Sequence, residues 1–329
     1  MSTSSSLIDV QVDALVAQGQ GNLAVRLIPP EGHGPLPAFD AGAHVDLHLP
    51  TGMTRQYSIA SAPHQRDFYT LCIRKEGASR GGSRYVHERL RVGDRLRIGA
   101  PRNLFRLEPA AHSILMAGGI GITPLLSMAW ALEQGGQSFE LHYYVRRRSE
   151  AAFARQWGRG FRHGTVHLHC SAEGDSLRAG RPACLAAPGC STHLYVCGPH
   201  GFMDHVQAQA HAAGWPMDQL HQEAFGLPAA AVSSGLAEEE APFEVELAST
   251  GQAFVVPPGQ SIASVLQSQG VEIPLSCEMG ICGACLTPVS AGDVEHRDGV
   301  QSEAEKSAPC QQIALCCSRS RSARLVLQL

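Results

Sequence analysis

The chain has 329 residues, of which 44% are apolar and 17% charged, with a formal net charge of −4. That length calls for two or three domains, each with its own core, and the apolar content excludes a chain that stays unfolded. The N-terminal stretch MSTSSSLIDV has neither the basic start nor the apolar centre of an export signal, so a cytoplasmic protein is expected, with no nucleic-acid or membrane partner.

The first hundred residues read as β-structure. Short alternating runs, HVDLHL (44–49), RQYSIAS (55–61) and FYTLCIR (68–74), are separated by Gly and Pro turns and suggest a small barrel. A short helix is expected after Gly81-Gly82-Ser83, and Val92-Gly93-Asp94 leads into a last strand. From about His112 strands alternate with helices, which implies a parallel sheet. Ser113 to Leu132 carries no charge over nearly a membrane span, but Gly118, Gly119, Gly121 and Pro124 in its first half fit a strand, a tight loop and a helix better. The stretch LPAAAVSSGLAEEEAP after Phe225-Gly226 is small, polar and without period, and reads as a linker. Two strands around Ser249-Thr250-Gly251 and a short helix open the last segment. The expected divisions are 1–108, 109–227, a linker at 228–241, and 242–329.

Eleven cysteines are many for a cytoplasmic protein, where clustered thiols more often bind metal than form disulfides. Six of them fall in the last 53 residues. Cys277, Cys282 and Cys285 form C-x4-C-x2-C with a distant partner at Cys316 or Cys317, the spacing of plant-type [2Fe-2S] ligation. Gly280, Gly283 and Ala284 keep the loop small enough for backbone N–H groups to approach sulfur. A zinc site is the competing reading, although zinc usually takes two short C-x2-C knuckles and only one is present here.

Two further motifs precede this cluster. In Arg55-Gln56-Tyr57-Ser58 a strand would carry Arg55 and Tyr57 to one side, a cation for phosphate beside a ring for a flavin face. A half-buried tyrosine under a snorkelling arginine would produce the same four residues. Gly81, Gly82 and Ser83 open a helix, where an anion can sit. Met116-Ala-Gly-Gly-Ile-Gly-Ile-Thr-Pro124 lies between a strand and a helix, a place suited to pyrophosphate. Cys197-Gly198-Pro199 follows a later strand, and Arg146-Arg147-Arg148 follows LHYYV, where the adenosine ribose is usually read.

The R-x-Y-S run resembles the signature of the ferredoxin–NADP reductase superfamily, and Gly118-Gly119-x-Gly121-x-Thr123-Pro124 with Cys197-Gly198-Pro199 resembles its nicotinamide-binding half. The segment from Phe243 to Cys285 resembles plant-type ferredoxins, whose fold is a β-grasp. In this order, together with Pro101 to Phe105, Glu223 to Gly226 and the tail SRSRSARLVLQL, the motifs make the whole chain similar to the phthalate dioxygenase reductase and vanillate demethylase reductase family.

The resemblance implies an antiparallel β-barrel flavin domain, an α/β parallel-sheet nucleotide domain and an α+β β-grasp ferredoxin domain. It implies FMN held by Arg55, Tyr57, Ser58, Gly81, Gly82 and Ser83, with Ser58 near flavin N5. It implies NADH at Gly118, Gly119, Gly121, Thr123, Pro124, Gly198 and Pro199, with Cys197 near nicotinamide C4 and Phe225 against the flavin face; Arg147 is a candidate for the ribose, where relatives that prefer NADH often carry an acid and an arginine suits a 2′-phosphate, a solvated basic loop being the other reading. Cys316 becomes the fourth cluster ligand beside Cys277, Cys282 and Cys285, leaving Cys310 and Cys317 as bystanders. Hydride would pass to the flavin, and single electrons through the cluster to a terminal oxygenase of Rieske type. A cytochrome P450 acceptor, and a ferredoxin-like carrier whose front half no longer binds flavin, are the alternatives. The sixteen histidines are scattered along the chain and read as core or surface residues.

Overall fold

Strands whose side chains alternate between core and solvent build the first part of the molecule. The computed structural model describes residues 7–77, 81–189, 191–225, 240–275, 280 and 283–329. Strands β1 (Ile8–Ala17), β2 (Asn22–Ile28), β3 (His44–His48), β4 (Thr54–Ser58), β5 (Tyr69–Arg74) and β6 (Arg95–Ile98) pair in the order β4-β3-β6-β1-β2-β5, every pair antiparallel. The sheet closes on itself where Ile59 bridges Leu71 and Ala60 N–H donates to Thr70 O. Val10, Val12, Val25, Leu27, Val45, Leu47, Leu71, Ile73, Leu96 and Ile98 fill the interior, as a barrel with one wet and one dry face requires. Helix α1 (Gly82–Glu88) follows β5.

The charge-free run resolves into β7 (His112–Gly118), a single tight turn and α2 (Ile122–Gln134). No helix among the described residues is long and apolar enough to cross a membrane. With β8 (Ser138–Val145), β9 (Gly164–Cys170), β10 (Thr192–Cys197) and β11 (Leu220–Glu223), β7 forms a five-stranded sheet in the order β11-β10-β7-β8-β9, parallel throughout. Helix α3 (Ala154–Trp157) lies between β8 and β9, and α4 (His200–Ala212) follows β10.

Both faces of this sheet are covered, which is why ILMAG is apolar without a break. Leu115, Ala117, Leu141 and Tyr143 pack with α2; Ile114, Met116, Leu194 and Val196 pack with Met203, Val206 and Ala210 of α4. The α2-side core also takes in Ala24, Ala41, Ala60 and Cys72 from the barrel, and buried Ser127 donates its hydroxyl proton to Ser61 O at 2.9 Å. Barrel and sheet therefore share apolar surface and belong to one unit, Met1–Ala224.

The second unit is Phe225–Leu329. Strands β12 (Phe243–Leu247), β13 (Ala253–Val256), β14 (Leu286–Ala291), β16 (Gln312–Ala314) and β18 (Arg324–Leu327) form a mixed sheet in the order β13-β12-β18-β14-β16, with a side pair β15 (Val294–Glu295) and β17 (Arg319–Ser320). Among the described residues of this sheet, only β12 and β18 pair in parallel. Helix α5 (Ile262–Ser268) starts where the Ser261 hydroxyl accepts from Ser264 N–H, and it buries Ile262, Ala263, Val265 and Leu266 in the third core. Glu240 pins the start of this unit to Arg297 at 2.8 Å and to Arg319 at 3.4 Å. A short helix, α6 (Glu303–Lys306), precedes β16.

Candidate functional site

The flavin motif lies on β4, opposite β3, with Tyr57 paired to Val45 and Ser58 to His44. Tyr57 packs on the barrel core, and burial pushes its hydroxyl up to about 12 against the opposing pull of Arg55. Arg55 lies along the start of α1. A Cβ on Gly82 would come within 2.8 Å of Arg55 Cγ, so the absence of a side chain there is what lets the arginine reach this helix. Gly81 has φ +111, a backbone region that favours glycine. The Ser83 hydroxyl accepts from Glu76 N–H at 3.2 Å. The R-x-Y-S strand and the Gly-Gly-Ser turn are thus neighbours in space; Arg80 lies outside the described residues.

At the carboxyl ends of β7 and β10 the two nucleotide motifs press on each other. A Cβ on Gly121 would lie 2.1 Å from Cys197 O, one on Gly198 would lie 2.9 Å from Gly118 Cα, and one on Gly118 would lie 3.0 Å from Pro199 Cδ and Phe202 Cδ1. Gly119 turns the chain at φ +56. These glycines are required by backbone approach, which leaves a shallow floor of main chain at the end of two strands, where a dinucleotide sits in such sheets. Thr123 is buried and donates to Ile120 O at 3.1 Å, and Pro124 is in the first turn of α2, where it breaks no helical hydrogen bond. Arg146, Arg147 and Arg148 are exposed past the end of β8; Arg148 meets Glu173 at 3.6 Å.

A residue to which no role had been given completes this site. Glu223 ends β11 and pairs in register with Cys197. Its Oε2 accepts from the Ser58 hydroxyl at 3.4 Å, and its Oε1 lies 3.9 Å from His44 Nδ1. Desolvation raises its carboxyl to about 8, with the Ser58 hydrogen bond pulling the other way. Cys197 is fully buried, and desolvation with the nearby Glu223 carboxyl pushes its thiol well above the usual range. A strand of the barrel and two strands of the sheet thus bring Ser58, Glu223 and Cys197 together. Sequence spacing does not show this, because 165 residues separate the hydrogen-bonded pair. Phe225 is the first residue of the second unit and is 37% exposed.

In the second unit Cys277 and Cys282 lie outside the described residues, while Cys285 and Cys316 have their sulfurs 3.3 Å apart. Gly280 N–H donates to Cys316 Sγ at 3.2 Å. Gly280 and Gly283 take φ +70 and +69, and a Cβ on Gly280 would meet Cys317 Sγ at 2.4 Å. The Cys317 thiol donates to Ala314 O at 3.9 Å and lies 3.8 Å from Ser318 Oγ. Converging soft sulfurs with a backbone N–H aimed at one of them are what an iron–sulfur cluster needs, so the described residues fit that group.

Residues 245–321 match the family model for the 2Fe-2S iron-sulfur cluster binding domain. The chain is 44% identical over 325 residues to a vanillate O-demethylase oxidoreductase of Pseudomonas sp. (strain HR199 / DSM 7063), covering 98% of this chain and all of that one. Among solved structures, phthalate dioxygenase reductase superposes with a TM-score of 0.74 at 33% identity over 98% of both chains. An intact type IV self-sufficient cytochrome P450 monooxygenase gives a TM-score of 0.79 at 34% identity, over 98% of this chain and 41% of that one. The chain therefore belongs to the phthalate dioxygenase reductase and vanillate demethylase reductase family, oxidoreductases that join a flavin-reductase fold to a plant-type iron–sulfur domain.

Proposed function

We propose that the chain is the NADH-dependent reductase component of an oxygenase system, with FMN as its flavin and a Rieske-type aromatic-ring oxygenase or demethylase as its acceptor. The observation that carries this reading is the meeting of Ser58, Glu223 and Cys197 beside the glycine floor, one from the flavin-motif strand and two from neighbouring strands of the parallel sheet. When bound, the flavin supplies the change from paired to single electrons, and the cluster carries them onward.

The residues themselves bind and orient. Arg55, Gly81, Gly82 and Ser83 take the flavin phosphate, and Tyr57 faces the ring system. Gly118, Gly119, Gly121, Thr123, Pro124, Gly198 and Pro199 shape the nucleotide floor, and exposed Arg147 stands where the adenosine ribose is read. Cys197, kept as a neutral thiol by burial, offers soft bulk without charge next to the reacting ring. Glu223, whose carboxyl burial raises to about 8, accepts a hydrogen bond from the Ser58 hydroxyl and so orients that hydroxyl. Phe225 is assigned to the flavin on the resemblance, and the cluster ligands are Cys277, Cys282, Cys285 and Cys316. Segments 1–108, 109–227 and 242–329 carry flavin, nucleotide and cluster in turn, with 228–241 as the linker.

An electron donor to a cytochrome P450 is the second reading, favoured by the match of nearly the whole chain to part of the self-sufficient P450 monooxygenase. The test is direct. Purified protein is analysed for FMN, FAD and iron, reduced with NADH or NADPH, and mixed with each class of acceptor. FMN content, a higher kcat/KM with NADH and reduction of the Rieske acceptor are expected. FAD, or an NADPH preference that disappears in Arg147→Asp, would correct the cofactor assignments. Reduction of the P450 alone would replace the Rieske reading.

A further inference from the structure

The α4 face of the parallel sheet carries a polar cluster, running from mid-β8 to Tyr144 beside Gly118, to which the proposed electron-transfer chemistry gives no role. Along β8, Phe139, Leu141 and Tyr143 go to the α2-side core, so the alternate residues Glu140, His142 and Tyr144 take the other face. Parallel register sets Thr165, His167 and His169 of β9 beside them. The imidazoles of His142 and His167 stack at 4.7 Å, and Tyr144 stacks on His169 at 4.2 Å. His142 is 7% exposed. From the connection at 171–191, Cys184 brings its thiol to the same place, and donor atoms of Glu140, His142 and Cys184 all lie within 4.8 Å of one another.

The hydrogen-bond chain through this cluster is one cation short. Glu140 Oε2 lies 3.0 Å from His142 Nε2, His142 Nδ1 lies 3.1 Å from His169 Nε2, and His169 Nδ1 lies 2.9 Å from Asp175 Oδ1. Three links join two carboxylates through two imidazoles. Two neutral imidazoles bring one N–H each, enough for two links. If His169 donates to Asp175 and His142 donates to His169, the Nε2 lone pair of His142 faces the Glu140 carboxylate. A third proton or a metal ion would close that gap, and the Cys184 sulfur stands beside it.

We propose that Glu140, His142 and Cys184 form a binding site for a borderline-soft divalent cation, Zn²⁺ foremost. Imidazole, thiolate and carboxylate are together the zinc donor set, whereas Mg²⁺ and Ca²⁺ prefer oxygen alone. The metal takes Nε2 of His142, one oxygen of Glu140 and Sγ of Cys184, and a water fills the fourth position. Binding releases the Cys184 thiol proton to solvent and needs no redox partner. Asp175 and His169 are positioning residues: through two hydrogen bonds they hold His142 in the tautomer that presents Nε2. His112 Nε2, 3.8 Å from Glu140 Oε1, steadies the carboxylate from the other side. The ion would tie the connection that buries Leu177 and Leu185 in the α4-side core to the inner strand β8.

The test uses the full chain with flavin and cluster in place. Zn²⁺ is titrated against a chromophoric chelator, and Co²⁺ is followed by its visible spectrum, with iron content checked throughout so that exchange at the cysteine loop is seen. One equivalent is expected to bind without loss of iron, with a thiolate-to-cobalt absorption band and a Zn²⁺-dependent rise in Tm. Cys184→Ser should remove the band and weaken Zn²⁺ by more than about a hundredfold, while Asp175→Asn should weaken it roughly tenfold. Metal-free Cys184→Ser should melt close to the parent and still be reduced by NADH. No stoichiometric binding, or equal Zn²⁺ affinity in the parent and Cys184→Ser, would overturn the proposal and leave a third proton as the cation in the chain.

Discussion

Two buried cysteines, one in each unit, show how neighbours rather than burial decide what a thiol can do. Cys197 is fully buried and Cys285 is 3% exposed. Around Cys197 stand a glycine backbone at van der Waals limits and the carboxyl of Glu223, an environment that disfavours a thiolate. Beside Cys285 stands another sulfur at 3.3 Å, itself receiving a backbone N–H, an environment that rewards the deprotonated, metal-bound form. The first unit therefore presents a neutral thiol among close backbone and the second a pair of converging sulfurs, the contrast that the proposed cofactors would need.

The largest expected effect comes from breaking the cage. Cys285→Ser should abolish the visible and EPR signals of the cluster, while flavin reduction by NADH continues, because the third core is separate from the cores of the first unit. Cys317→Ser should keep the cluster; losing it there, with Cys316→Ser harmless, would show that the fourth ligand is the other cysteine of the pair.

Gly121→Ala breaks the organic side. A methyl 2.1 Å from Cys197 O has no flexible side chain to displace, so one strand end must shift at a cost of about 1–3 kcal/mol. Thermal melting should fall accordingly, and kcat/KM for NADH should drop by about tenfold or more, with the cluster spectrum unchanged. Wild-type kinetics in this variant would mean that the floor is not where the nucleotide binds.

Glu223→Gln sharpens the comparison through pH. The unfolded carboxyl releases its proton from about 4.5 upward, whereas in the folded chain it is held to about 8. The folded state thus binds more protons between those values, so this group's contribution falls as pH rises from about 4.5 to 8 and then levels off. Melting of the variant across that window should lack this component. A parallel Tm profile in the two proteins would refute the raised carboxyl.

The smallest effect concerns the acceptor. Residues 1–227 hold 21 Lys+Arg and 18 Asp+Glu, whereas residues 228–329 hold 5 and 12, so the acidity is concentrated at the ferredoxin end. If this field steers the cluster to a basic patch on the acceptor, rising salt should slow electron transfer between the proteins and leave NADH-to-flavin reduction nearly unchanged. A second-order rate that is flat from low to physiological salt leaves the acidity as a solubility feature.

Much was legible before any coordinates. Alternation in HVDLHL and RQYSIAS, the unbroken apolar run before Gly118 and the spacing of Cys277, Cys282 and Cys285 are local patterns, set by the two-residue period of strands, by sheets covered on both faces and by cluster geometry. Tight turns read the same way: Gly81, Gly119, Gly280 and Gly283 all take positive φ. What only the tertiary structure decided are the meetings across sequence. Gly121 is needed because β10 brings Cys197 O against it. Glu223 matters because β11 pairs with β10 while β4 delivers Ser58 from the barrel. His142, His167 and His169, scattered along the sequence, become a stacked cluster because parallel register puts β9 beside β8. Register and strand order are collective outcomes of burying both faces of a sheet, and no short window of sequence carries them.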